Sequence, residues 1–393
     1  MIVSHVVLKN WRNFQKVDVD LKARTFLVGA NASGKSNFLD VFRFLHDIAK
    51  PGGGLQEAVR RRGGLSKIRC LSARRNPNVE IEVWLSDSAS REILWRYAIG
   101  IQQEIRGYRN LLLSYEKVWH KDVQIVNRPD DGDKQDQIRL TQTYLEQLNA
   151  NKNFREIADF LNGISYLHLI PQLLRYPETF SGANIPDDPF GRNLLERLAR
   201  TSEKICKPRL KKIEAALRLA VPQLKELTRT KDERGIPHLE AVYKHWRAKG
   251  AKQREDQFSD GTLRLIGLLW SLLESDSLLL LEEPELSLNS SIVNKLPNLI
   301  YRLQREKKRQ IVLSTHSADL LSTNQIGAEE VLLLIPEEEG TEVKVASSIE
   351  EIPLLLKGGQ TIAEAVFPRT SPPEIDKLQY EFNFPKERKN DPH

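Results

Sequence analysis

Apolar positions along the chain follow two periods. Residues 2–9 read Ile-Val-Ser-His-Val-Val-Leu-Lys, and Val17, Val19 and Leu21 alternate with Asp18 and Asp20, which predicts two strands, the second half exposed. Thr25-Phe26-Leu27-Val28 is a short apolar strand running into Gly29. After Ser36 the period changes: Phe38, Val41, Phe42, Leu45 and Ile48 have helical spacing, and Pro51-Gly52-Gly53-Gly54 ends that helix. Residues 79–126 hold β-rich runs that predict antiparallel hairpins, and 127–137 form a polar loop. Helical patterns cover 141–162 and 190–220, a strand 164–170, and a hairpin 224–247 that turns at Arg234-Gly235.

The last third alternates strand and helix. Helix over 260–275, strand over Ser277–Leu281, helix over 289–307 and strand over Gln310–Leu313 are followed by strands at 330–335 and 342–346. Buried strands alternating with helices argue for a mostly parallel sheet, so the expected fold class is α/β. No heptad is sustained, and no internal repeat is visible. The tail from Phe367, rich in Pro, Lys and Glu, reads as peripheral.

Composition adds limits. The 393 residues suit two domains, or one with insertions, and no run approaches 18 apolar residues, which excludes a transmembrane helix. No basic stretch precedes an apolar core at the start, so no signal peptide is expected. Cys70 and Cys206 alone make neither a disulfide framework nor a metal site, and a cytoplasmic location is the simplest expectation. The net charge of +6 is mild, but its distribution is uneven. Arg60, Arg61, Arg62, Lys67, Arg69, Arg74 and Arg75 form one basic cluster, and Lys204, Lys207, Arg209, Lys211 and Lys212 another. Each is either a solvated helix face or a contact to a phosphate backbone.

Candidate chemistry begins at Gly29-Ala30-Asn31-Ala32-Ser33-Gly34-Lys35-Ser36, which fits the phosphate-loop pattern between a strand and a helix. Its glycines let successive backbone N–H groups wrap a phosphate, and the helix N-terminus faces the same anion. Lys35 offers a charge to the β/γ oxygens and Ser36 a hydroxyl to Mg²⁺; Asn31 and Asn37 belong to the same nucleotide-binding segment. Downstream, Leu278-Leu-Leu-Leu-Glu282-Glu283-Pro284-Glu285 is an apolar strand ending in acids, at the edge where ligands of an open α/β sheet sit. One acid there can serve the metal and the next can polarise a water.

With Gln257-Phe258-Ser259-Asp260-Gly261-Thr262 before that strand and Ser314-Thr315-His316-Ser317 after the next, the chain resembles an ABC-class ATPase of the RecF/SMC-like, OLD-related group. The resemblance covers roughly residues 1–50 and 255–335. It implies an ABC-type ATPase head: a mixed sheet around the phosphate-loop helix, an N-terminal antiparallel β region and an inserted helical lid. The expected division is 1–135 for the N-terminal lobe, 136–255 for the lid, 256–350 for the C-terminal lobe and 351–393 for a peripheral tail. Within the family pattern Ser259 and Gly261 lie in the signature loop, which reaches the γ-phosphate held by a second subunit. Glu282 takes the metal-side position, where the family usually has Asp, and Glu283 that of the catalytic base. Ser287-Leu288-Asn289 matches the D-loop and His316 the switch histidine. Gln172, with Gln56 as its rival, is placed as the glutamine that completes the metal site, and Arg12 of the opening Lys9–Phe14 motif is placed near the nucleotide.

The resemblance implies binding of ATP with Mg²⁺, hydrolysis, and a homodimer closed around two nucleotides. No acidic nuclease cluster follows residue 335, so a separate effector, of Toprim-like or HNH nuclease type, is expected, with DNA association in anti-phage defence or repair. A stand-alone RecF-like loading factor and a switch without nucleic acid are the alternatives.

Overall fold

The computed structural model describes residues 1–73, 77–104, 110–176, 187–244 and 250–370. Arg74, Arg75 and the tail beyond Thr370 therefore lie outside the described residues. Ile2–Trp11 (β1) and Phe14–Asp20 (β2) pair as a hairpin, and Arg24–Gly29 (β3) leads through the glycine loop into Lys35–Ala49 (α1) and Leu55–Arg61 (α2). Val79–Ser86 (β4), Ile93–Gln103 (β5), Leu111–His120 (β6) and Val123–Arg128 (β7) extend the hairpin into a six-stranded antiparallel sheet, in the order β2-β1-β4-β5-β6-β7.

A second sheet is assembled from distant segments. Ser165–Leu167 (β8) is followed by Pro171–Arg175 (α3) and Glu203–Ala220 (α4). Leu224–Lys231 (β9), Pro237–Tyr243 (β10) and Ala251–Arg254 (β11) form their own three-stranded antiparallel sheet. Asp260–Glu274 (α5), Leu279–Glu282 (β12), Leu296–Lys307 (α6), Ile311–Thr315 (β13), Val331–Glu337 (β14) and Gly340–Val345 (β15) complete the chain's main elements. The second sheet runs β15-β14-β3-β13-β12-β8, parallel throughout except for the β14–β15 pair.

This sheet divides two cores by strand alternation. Leu27, Leu280, Val312 and Leu332 face one core, with α1 held between the two large sheets; Phe26, Leu279, Leu313 and Leu333 face the other, shared with α4, α5 and α6. A sheet buried on both faces reads as continuous apolar runs, which is why β12 and β13 stand out in the sequence.

Some expected elements changed. Only Arg155–Asn162 of the predicted helix 141–162 is α-helical, preceded by 3₁₀ turns at Gln137–Thr141 and Asn151–Phe154. Tertiary hydrogen bonds override the local pattern: the Tyr144 and Leu145 amides donate to the buried Glu116 at 2.6 and 3.1 Å, and Asn151 Nδ2 donates to the Leu145 carbonyl at 2.9 Å. The polar loop 127–137 contains a short helix, Asp131–Gln135, whose capping box pairs Asp130 with Asp133. The helix expected over 289–307 restarts at Leu296, where Pro297 occupies its first turn. Residues 351–370 are less peripheral than expected, because Ile352, Ile362, Ala365 and Val366 are buried in the second core. Among the described residues, no helix is long and apolar enough to cross a membrane.

Candidate functional site

The carboxyl ends of β3, β12 and β13 lie side by side, and each delivers a candidate group. At β3 the glycine loop turns tightly. A Cβ on Gly29 would meet the Leu334 carbonyl at 2.6 Å, and Gly34 has φ 98° with Asn13 Nδ2 where its Cβ would be. Both positions exclude larger residues. The Lys35 ammonium donates to the carbonyls of Gly29 at 3.0 Å and Ala30 at 2.9 Å, so it lies curled inside the loop. Burial lowers its pKa to about 8, against the opposing pull of Glu283, Glu282 and Glu285. Asn31 is exposed on the loop's outer turn, and the Ser33 hydroxyl is buried with no partner.

At the end of β12, Glu282 accepts from two hydroxyls, Ser36 on one carboxylate oxygen and Tyr166 on the other. Burial, then Glu282 itself, raises the Tyr166 phenol well above its ordinary value, so it stays a donor. Glu283 follows with φ 44°, its amide donating to the Ser314 carbonyl of β13 at 3.1 Å. His316 Nε2 lies 3.0 Å from Glu283 Oε1. Burial and the nearby Lys35 lower the His316 pKa, with Glu283 opposing, so a neutral ring donating from Nε2 fits the contact. Glu285 is buried and accepts from Thr315 Oγ1 at 2.5 Å and the His316 amide at 3.2 Å, which ties the ends of β12 and β13 together.

The signature segment stands apart from this group. Ser259 caps α5, accepting from the Thr262 amide at 3.2 Å, and its side chain is exposed. A Cβ on Gly261 would meet the Ser287 carbonyl at 2.7 Å, so the signature loop packs against the D-loop segment of its own chain. Within the chain, neither Ser259 nor Gly261 is bonded to Lys35, Ser36 or Glu283.

Three expected site residues point elsewhere. Gln172 donates to Asp260 at 2.9 Å, beside Arg175, which holds the same carboxylate at 2.5 Å, so it serves the signature loop and not the Ser36–Glu282 pair. Its rival Gln56 donates to the carbonyls of Leu111 and Thr141. Arg12 pairs with Asp40 at 2.9 Å, one turn along α1 from Ser36. Asn37 donates to Asn13 Oδ1 at 2.7 Å, turned toward the β1–β2 turn.

Two residues went unread in the sequence. Asn13, next to Arg12, clamps the phosphate loop: its Nδ2 donates to the Ser33 carbonyl at 3.0 Å and to Thr341 Oγ1 at 2.7 Å. Tyr166 on β8 occupies the place beside Glu282 that Gln172 was expected to fill. Asn13 was visible in the opening motif; nothing about a tyrosine in a three-residue strand marks it.

Within the first basic cluster the arginines of 60–62 are held in ion pairs, one of them buried. Arg62 is buried and bound to Asp40 at 2.8 Å and Asp47 at 2.9 Å, while Arg60 and Arg61 pair with Glu57. In the second cluster, Lys212 pairs with Glu306 and Arg209 lies over Trp270.

The residues fit a nucleotide with Mg²⁺. Buried Ser33 Oγ lacks a partner and Lys35 meets only carbonyls inside the loop, while Ser36 and Glu282 converge as hard oxygen donors. Among the described residues no cluster of three His, Cys, Asp or Glu could cage a metal.

Comparison with known proteins bears on the family and the fold. The profile of one family, described as AAA domain, putative AbiEii toxin, Type IV TA system, matches residues 24–322. A stretch of 92 residues is 33% identical to DNA replication and repair protein RecF of Clavibacter michiganensis subsp. michiganensis (strain NCPPB 382), covering 23% of each chain. Another of 47 residues is 45% identical to Endonuclease GajA of Bacillus cereus (strain VD045), covering 12% of this chain and 8% of that one. Each match thus spans less than a quarter of the relative's length. Among solved structures, the SmcHead bound to the C-winged helix domain of ScpA matches with a TM-score of 0.52 at 13% identity, over 88% of this chain and 98% of that chain. The last likeness concerns the fold, and it bears out the ATPase-head architecture with its antiparallel N-terminal sheet.

Proposed function

The chain belongs to this AAA-domain family, as an ATPase of the RecF/SMC-like, OLD-related kind, and from that premise we propose that it hydrolyses ATP at sites shared between two copies. The observation that carries the reading is a separation. Lys35, Ser36, Glu282, Glu283 and His316 meet at one edge of the sheet, while Ser259 lies exposed at the start of α5 and is bonded only within its own turn.

In this reading the amides of Gly29, Asn31 and Gly34 and the Lys35 ammonium hold the phosphates. Ser36 and Glu282 hold Mg²⁺, which offsets phosphate charge. Glu283 accepts a proton from the attacking water, and His316 fixes the orientation of its carboxylate. Ser259 and Gly261 of a second copy close over the γ-phosphate, so ATP acts as the reversible link of a homodimer. Residues 1–135 and 256–350 act as the two lobes and 136–255 as the lid, except that β8 within it belongs to the central sheet. The output is a shape change passed to a separate effector, a Toprim-like or HNH nuclease, on DNA in the cytoplasm.

Mixing two inactive proteins tests the shared site. Lys35→Ala lacks the phosphate contact and Ser259→Arg blocks the signature loop, yet their heterodimer contains one intact site. The mixture is expected to recover up to about a quarter of wild-type turnover, because half the dimers are mixed and each carries one good site of two. A mixture no more active than its separate components overturns the reading. The RecF-like stretch favours a second reading, a stand-alone factor that loads other proteins on DNA. That reading predicts tight DNA binding by the purified chain without any effector.

A further inference from the structure

A cleft of about 980 Å³ opens along α1 on the other side of the sheet edge from the phosphate loop. Its lining includes Asp40, Arg43 and Asp47 on successive turns of α1, together with β8 and the C-terminal part of α5. Leu279 and Arg309 close one end, at the amino ends of β12 and β13. The phosphate loop and Glu283 sit at the carboxyl ends, so this end of the cleft lies away from them, while its other end reaches Tyr166, which bonds Glu282. The volume falls at the upper end of the roughly 300–1,000 Å³ common for small-molecule sites.

The lining is rich in guanidinium groups, and its carboxylates are already used. Asp40 and Asp47 are bound by Arg12 and Arg62, and Glu57 by Arg60 and Arg61. What remains is an excess of cation. The described contact of Arg43 is with the face of Tyr166, 4.0 Å from the ring centroid, and no carboxylate pairs with it. Arg197 bonds Glu274 at 3.0 Å through Nη1 and has Asp188 3.9 Å from Nε, but its Nε and Nη2 are buried without a hydrogen-bond partner. Arg309 is almost fully buried, and its donors go to the backbone carbonyls of Ser277 and Ser271 and to no carboxylate. Burial brings its pKa down to about 10 against the opposing pull of Glu274 and Asp276. Buried donors left unpaired are costly, and guanidinium groups match phosphate oxygens in geometry and charge.

We propose that this cleft binds a small phosphate-bearing anion, a nucleotide or an oligophosphate, through Arg43, Arg197 and Arg309. None of its arginines touches Lys35, Ser36 or Glu283, and Arg43 reaches the ATPase site only through the Tyr166 ring, which bonds Glu282. A phosphate of the ligand would take the free donors of Arg43 and Arg197, and would add a close counter-ion to Arg309, which no carboxylate pairs directly.

Calorimetric titration of full-length Lys35→Ala protein with inorganic tripolyphosphate tests this, since the phosphate loop is silenced in that background. One binding site is expected to remain at low ionic strength. Adding Arg43→Ala or Arg197→Gln should weaken it by about tenfold each, the effect of losing one charge-assisted contact. These two positions are chosen over Arg309 because they are only partly buried, and unchanged melting temperatures will show that the proteins fold. Repeating the titration with ADP separates the two sources: tighter binding than tripolyphosphate assigns a nucleotide, weaker binding the bare phosphate chain. Loss of all binding in Lys35→Ala overturns the proposal, as does unchanged affinity in both arginine variants. Failure of the mixing experiment on the shared ATP site would leave this result untouched.

Discussion

The Tyr166 phenol and the Ser36 hydroxyl grip opposite oxygens of the Glu282 carboxylate. Tyr166 is in turn covered by Arg43, and its phenol is kept protonated by burial beside Glu282. A carboxylate fixed from both sides is oriented before any ion arrives, and outer contacts of this kind tune metal affinity. Tyr166→Phe removes one donor and little volume. A hydrogen bond to a charged group contributes about 1.5–3 kcal/mol, so the Mg²⁺ concentration for half-maximal hydrolysis should rise roughly tenfold or more, with melting temperature little changed. An unaltered Mg²⁺ titration would show that Tyr166 does not position Glu282 for the metal.

Asn13 and Arg12 are neighbours with different expected phenotypes. Asn13→Ala breaks the clamp on the Ser33 carbonyl and leaves Asn37 Nδ2 without its acceptor. Loosening the loop by about 1–3 kcal/mol should weaken ATP binding by roughly tenfold or more. Arg12→Ala removes a partner of Asp40 on α1 and should lower thermal stability more than ATP affinity. Equilibrium binding and melting curves on both proteins separate the effects, and equal losses of ATP affinity would refute the distinction.

The contrast between these neighbours shows where sequence reading stops. The phosphate loop, the acidic end of β12 and His316 were legible because each sits at a fixed place after an apolar strand, and the parallel sheet brings those ends together. Which side chain of Arg12-Asn13 turns to the loop depends on the β1–β2 turn, where Arg12 has φ 54°. No periodicity reports that. Gln172 was misplaced for a similar reason: β8 ends at Leu167, and α3 then carries Gln172 to Asp260. The helix expected over 141–154 failed because the buried Glu116 captures its amides from across the fold. Arg60-Arg61-Arg62 looked uniform in sequence, yet α2 exposes the first and buries the third.

Lys35 predicts a pH dependence. Its pKa of about 8 is set by burial in the free protein, and bound phosphate would favour the charged ammonium and raise it. ATP affinity should therefore be flat below pH 8 and fall above it, approaching tenfold per unit as the free protein loses the proton that binding needs. Lys35→Arg, charged throughout, should bind with no such decline. Nucleotide titrations between pH 6.5 and 9.5 will decide, and a slope shared by both proteins would place the titrating group elsewhere.

Arg62 predicts a stability effect that its exposed neighbours lack. Its guanidinium bridges Asp40 and Asp47 with side-chain exposures of 7%, 12% and 14%. Removing one partner of a buried ion pair costs about 3–5 kcal/mol, whereas exposed pairs contribute about 0–1 kcal/mol. Arg62→Ala should thus destabilise strongly in urea, and Arg60→Ala, whose side chain is 76% exposed, hardly at all. The pH profile gives a second signature. Burial works to raise the Asp40 pKa, but Arg62 and Arg12 overcome it and hold the carboxyl below its ordinary value. A depressed carboxyl stabilises the fold above its unfolded pKa and loses that contribution as pH falls through the folded one. Wild-type protein should accordingly lose stability more steeply than Arg62→Ala as pH drops below about 4, the unfolded carboxyl value. Parallel acid-unfolding curves would assign the acid lability to other carboxylates. The same variants bear on DNA: Arg60→Glu tests a phosphate-backbone contact cleanly, whereas Arg61→Glu would also repel Glu57 and Asp47, and any loss of binding in Arg62→Glu would reflect the broken Asp40–Asp47 bridge.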